Sequence, residues 1–301
     1  MTDIQFGLMT RGQFEEKDDI RVRFKELMEQ ARTADKLGFA SLTKGSHYSS
    51  YPLQDFQQIP YLSRVMAEAP NLRLNAGIVL LSLHKPLEIA EQIATMDVMS
   101  DGRMIFGAAL GYREVEFKAF GTTQRERVQR FEENLLAIKR LWTEKKVNMV
   151  GSHFELMDAS ANTKTIQRPH PPIWIGADAD PAIRRAARLG DCWYMNPHVR
   201  IDTIERQLDI YKSALEEYDK PFPVEFPIRR EVFVARTTEE AFRIAEPYLS
   251  LKYKVYHEWG QDKAMPDGDN DLGQAFEDLQ RDRFLIGSPD DVAEQVIKLN
   301  K

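Results

Sequence analysis

Cysteine is almost missing from this chain: Cys192 is its one thiol. That excludes an intramolecular disulfide and any cysteine-rich zinc site, and the surrounding DCWYM reads as a buried strand. Histidine is sparse as well. The six imidazoles lie far apart, with no H-E-x-x-H pair and no carboxylates at ligand spacing, so no metal site is expected. No apolar run approaches the ~18 residues of a membrane span, and the opening MTDIQFGLMTRG lacks a basic stretch leading into a hydrophobic one. These absences predict a cytoplasmic protein without membrane contact. An excess of basic charge is also lacking: the net charge is −6 and the pI near 5.7, which argues against nucleic acid as a partner. The one basic cluster, Arg184, Arg185 and Arg188, reads as a solvated helix face. Two signatures are missing too. Without G-x-G-x-x-G there is no built-in nicotinamide domain, and without G-x-S-x-G hydrolase readings rank low.

What is present is alternation. Hydrophobic residues make up 43% and charged ones 29%, ample for a folded core. IQFGLMT is strand-like, and Ile20, Phe24, Leu27, Met28, Ala31 and Ala34 then fall on one helical face that ends at Gly38. FASLTK, LRLNAGIVLLS, MIFGAAL, IWIGA, DCWYMN and EFPIRREVFVA continue the strands, with amphipathic segments between them. Strands alternating with helices over the whole length predict parallel βα units, and this many of them predict a single α/β domain, a (β/α)8 TIM barrel spanning residues 1–301. Seven strands are legible. The eighth is expected beyond residue 301, because the chain runs out in the helix SPDDVAEQVIKLNK. Two insertions interrupt the pattern: residues 145–172, with a hairpin turning at Gly151-Ser152, and 253–285, acidic and weakly periodic, expected to be a mobile lid. The run SDGRMIFGAALGYREVEFKAFG fences a strand with glycines, as happens where something approaches the backbone closely.

That run, the helix behind it with Glu132, Glu133 and Trp142, and RPHPPIWIGADADPAIRRAARLGD resemble, in this order, the bacterial luciferase-like flavin-dependent monooxygenases. The resemblance extends from IQFGLM to the helix after Gly287. It implies reduced FMN at the C-terminal mouth of the barrel, delivered by a separate NAD(P)H:flavin reductase, with O2 and a small organic substrate, in a homo-oligomer, commonly a dimer. It implies His47 as the catalytic acid or base. Gly77 and Ile78 match a non-proline cis peptide under the flavin ring. Gly107 and Gly111 would keep the backbone close to the ring, Leu110 and Tyr112 would line it together with Met9, Leu80 and Met195, and Asn196 would offer a hydrogen bond. The turn Gly176, Ala177, Asp178, Ala179 would receive the phosphate at a helix opened by Asp180 as N-cap and Pro181. His84 is a weaker candidate. This chain departs from the pattern where Leu110 replaces the family's arginine and where Asp178 and Asp180 add negative charge, with Arg113 or Arg184 as substitutes. Two alternatives stay open: hydride transfer with the deazaflavin F420, and a non-catalytic flavin-binding protein. The substrate pocket falls to loops 45–58 and 256–282.

Overall fold

Residues 4–10 and 12–299 are described by a computed structural model. They divide into two compact units, one ending at Gly176 and the other starting at Ala177.

In the first unit, β1 (Gly7–Met9) and the short β2 (Phe14–Glu15) precede α1 (Ile20–Lys36). Asp19 caps α1 by accepting from the Arg21 N–H, and Leu27, Met28, Ala31 and Ala34 form its buried stripe. Then come β3 (Ser41–Lys44), the short β4 (Leu53–Gln54) and α2 (Gln58–Glu68). β5 (Arg73–Leu80) leads to α3 (Pro86–Met99), and β6 (Met104–Ala109) to the short α4 (Glu114–Ala119) and long α5 (Arg127–Thr143). β7 (Val147–Val150) and β8 (Glu155–Ala159) form an antiparallel hairpin, and β9 (Ile173–Ala177) follows. The main sheet is parallel, with neighbours in the order β1-β3-β5-β6-β9. Its central strands read RLNAGIVL and MIFGAA because both faces of a parallel strand are covered. Trp142 fastens α5 to α3 by donating its indole N–H to the Ala90 carbonyl at 3.0 Å.

In the second unit, α6 (Asp180–Leu189), β10 (Cys192–Met195) and α7 (Ile201–Glu217) precede β11 (Glu231–Val234) and α8 (Thr238–Glu258). The one-turn α9 (Phe276–Leu279), β12 (Phe284–Gly287) and α10 (Pro289–Leu299) complete it. Cys192 is buried on β10, and burial pushes its thiol far above the usual range.

Three expectations need correction. A strand that the sequence reading did not find is present within the chain: β12 pairs parallel with β11, from Glu231↔Phe284 to Val234↔Gly287. Eight strand-then-helix repeats are thus present among the described residues, headed by β1, β3, β5, β6, β9, β10, β11 and β12. FLIG is only four residues long and sits behind an acidic stretch, which hides it. The seventh strand is likewise shorter than EFPIRREVFVA, since Pro227 has no N–H to give a ladder. Finally, Ala179 rather than Asp180 is the N-cap of α6, because the Asp180 carboxylate is taken by Arg206 at 2.9 and 3.1 Å. Within 253–285, residues up to Glu258 belong to α8, with Tyr253, Val255 and Tyr256 buried, and Asp262, Met265, Asp269, Leu272 and Arg283 are buried beyond it.

Candidate active site

In the first unit β3 opens into a loop, residues 45–50, that carries His47. The imidazole keeps 18% exposure, and its Nδ1 lies 3.6 Å from Glu116 Oε1 on α4. Glu116 is fully buried. Its Oε1 accepts the Tyr48 N–H at 2.9 Å and faces Arg113 Nη1 at 3.4 Å. The Arg113 guanidinium in turn donates to the Tyr48 carbonyl at 2.7 Å and the Ser49 carbonyl at 2.9 Å. One buried ion pair therefore grips both edges of the loop backbone. Arg113 is spent on this clamp, so it is not the substitute phosphate ligand that the sequence suggested. A second buried pair, Lys44 to Asp55 at 2.7 Å, stands at the start of the same loop. Burial raises the Asp55 carboxyl, against the opposing pull of Lys44 and His47. The Tyr112 ring meets His47 edge-on at 6.4 Å.

The Gly77–Ile78 peptide is cis. The β5–β6 register shifts between Ala76 and Val79, and the neighbouring strands make room for that irregularity. A Cβ on Gly107 would fall 2.7 Å from Gly77 Cα and 2.8 Å from the Ala76 carbonyl oxygen; one on Gly176 would fall 3.0 Å from Ile78 Cδ1. Gly77, Ile78, Gly107 and Gly176 thus form one packing unit. The closest neighbour of Gly107 is the backbone of β5, so strand packing by itself accounts for the missing Cβ. Gly111 acts through conformation, with φ at 78°. Its carbonyl and that of Tyr112 receive hydrogen bonds from Arg127 at 3.5 Å and Gln124 at 2.8 Å, which hold Leu110, Gly111 and Tyr112 as a half-buried wall. Leu80 is buried beside this wall, whereas Met9 is 44% exposed and cannot line a dry site. His84 is turned to Tyr48, Nε2 to hydroxyl 3.3 Å, and burial lowers its pKa.

In the second unit Asp178 follows β9 and bonds the Asn196 side chain, and burial raises its carboxyl. Asn196 Oδ1 accepts the His198 N–H at 2.9 Å, so that oxygen already has a donor. Ala179 is exposed at the head of α6, and Ala177 is buried, its carbonyl accepting from the Trp193 indole at 3.0 Å. Arg184 pairs with Glu217 at 2.7 Å. His198 is buried against the Tyr253 hydroxyl at 2.8 Å and held far below the ordinary imidazole range by burial and then by Lys252, Arg229, Arg283 and Arg230. His257, Asp262 and Asp271 bring three ligand-type atoms within 4.8 Å of one another. The 2.5 Å contact from His257 to Asp262, and the Leu272 N–H on that same carboxylate, mark them as a loop fastening.

Sequence reasoning missed Glu116, Asn75 and His198. Asn75 is fully buried with neither amide atom paired, tucked against Gly77 and Gly107. Glu116 left one faint signal: with Phe117 and Phe120 it shares a face of REVEFKAFG, opposite the exposed Val115 and Lys118.

The FMNH2-dependent dimethylsulfone monooxygenase of Pseudomonas putida is 27% identical over 286 residues, covering 89% of this chain and 78% of that protein. The crystal structure of the monooxygenase RslO1 from Streptomyces bottropensis superposes with a TM-score of 0.82 at 23% identity, covering 99% of this chain and 88% of that one. An F420-dependent secondary alcohol dehydrogenase in complex with an F420-acetone adduct gives 0.81 at 16% identity, covering 98% and 89%. The fold is common to the two solved structures. Residues 4–301 match the luciferase-like monooxygenases, and the chain belongs to that family.

Proposed function

We propose that the protein is the oxygenase component of a two-component flavin monooxygenase, acting on a small organic substrate with reduced FMN from a separate reductase and O2. The single observation that carries this is His47, held on a strand-end loop by two buried ion pairs, facing Tyr112 on the wall that Gln124 and Arg127 fix. That is a proton-handling group on a preorganised, partly dry surface. A flavin ring fits the first unit, where the Asn75 amide is a buried polar group in want of a partner. When bound, reduced FMN supplies the electrons that activate O2.

The chain's own residues then do the remaining work. Leu80, Leu110 and Tyr112 exclude water from the reacting face, and His47 delivers or removes the substrate's proton. The absence of a nicotinamide-binding motif and the FMNH2 dependence of the dimethylsulfone relative support external delivery of reduced flavin.

An anaerobic titration with reduced FMN and, in parallel, reduced F420, followed by admission of air, tests the assignment. Saturable binding of reduced FMN, with reoxidation slower than for the free flavin, is expected. Binding of F420 alone would overturn it in favour of hydride transfer, and FMN binding with no turnover of any substrate class would leave only a flavin-binding protein.

A further inference from the structure

We infer that Glu116 is the positioning residue of His47, its buried carboxylate holding the imidazole in the Nδ1–H tautomer so that Nε2 carries the lone pair that exchanges protons with the substrate. The inference rests on His47 being the acid or base of the proposed reaction.

Glu116 has no exposure, and its Oε2 is buried without a hydrogen-bond partner. Capping the Tyr48 N–H needs one oxygen only, and a glutamine would supply it. Arg113 is largely occupied by the Tyr48 and Ser49 carbonyls, with its contact to Glu116 longer at 3.4 Å. A full carboxylate is therefore more than loop capping requires. Nδ1 of His47 lies 3.6 Å from Oε1 of this carboxylate, at ion-pair rather than hydrogen-bond distance, so the ring is coupled to a buried negative charge. An ionised carboxylate only accepts, so the ring nitrogen turned to it is the one that carries hydrogen. Asp55, the other carboxylate that interacts with His47, is paired directly with Lys44 at 2.7 Å. Contact order explains why no local pattern shows the arrangement: Tyr48 and Glu116 are 68 residues apart.

The test is the ring 15N spectrum of the cofactor-free, histidine-labelled protein, with His47 assigned by its loss in His47→Gln. The wild-type ring is expected in the Nδ1–H form. In Glu116→Gln that preference should fall by about tenfold, the difference between a charged and a neutral acceptor, and Glu116→Asp, which keeps the charge, should restore part of it. A wild-type ring in the Nε2–H form overturns the inference even if neither variant folds, as does an unchanged tautomer in folded Glu116→Gln. Turnover that survives His47→Gln sinks the catalytic reading while leaving the tautomer result intact, so the two failures are separable.

Discussion

Glycine 107 shows how one missing Cβ can organise three strands. Its hydrogen faces the Gly77 Cα and the Ala76 carbonyl, both backbone, at distances of 2.7 and 2.8 Å from where a Cβ would stand. A flexible side-chain tip would swing away, but a strand packed on both faces cannot. Gly107→Ala should therefore destabilise by about 3 kcal/mol, the upper end of overpacking costs. Gly38 is the control. It has φ at 76° with nothing within 4 Å of its absent Cβ, so Gly38→Ala should cost only about 1 kcal/mol of backbone strain. Urea midpoints of the two variants decide: equal losses would mean that the crowding at Gly107 relaxes. The same crowding surrounds Asn75, whose amide occupies the space that side chains at Gly77 and Gly107 would claim.

The β7–β8 hairpin is an element whose anchoring depends on pH. His153, in its turn, points Nε2 at Asn134 Oδ1, 2.9 Å away. Asn134 uses its amide nitrogen on the Leu81 and His84 carbonyls, so its oxygen must face the ring and Nε2 must carry the hydrogen. Burial, then Arg130 and Lys85, bring the His153 pKa down to about 4. The folded state therefore binds fewer protons than the unfolded chain between the ordinary value of 6.5 and about 4, and stability must fall as pH drops through that window. After allowance for partial solvation the loss is about 2 kcal/mol. His153→Gln should lose correspondingly less between pH 7 and pH 4.5 in parallel urea titrations; identical losses would refute the assignment. This hairpin and most helices were legible in the sequence because each rests on local periodicity or turn chemistry. β12 was not, since four residues carry too little pattern. Of the site, His47 and the Gly77–Ile78 position were readable only through family resemblance. Glu116 left only the faint signal of sharing a face with Phe117 and Phe120, because a charged residue in a charged segment reads as solvated until a loop far away in sequence covers it.

At the scale of the whole molecule, a chain with net charge −6 hides several of its charges as ion pairs beneath loops: Lys44–Asp55, Arg113–Glu116 and Arg283–Asp269. Loops have few apolar residues with which to pack, so directed charge-assisted bonds take that role and fix backbone carbonyls as well. Arg283–Asp269 is the clearest instance in the second unit. The pair meets at 2.6 Å with side chains 1% and 0% exposed. Arg283 also donates to the His198 and Leu279 carbonyls, and Asp269 accepts from the Thr203 hydroxyl and the Arg200 N–H. Asp269→Asn leaves the guanidinium buried without its counter-charge and should cost about 3–5 kcal/mol. Replacing both residues with apolar ones, Asp269→Leu with Arg283→Met, removes the stranded charge but orphans those carbonyls and the Thr203 hydroxyl, so recovery should be partial. Denaturant midpoints for the single and double variants, read beside hydrogen exchange across 262–283, decide the matter. If Asp269→Asn stays near the wild-type midpoint and exchange is unchanged, the pair does not hold this segment, and the mobile lid expected over 253–285 returns as the better description.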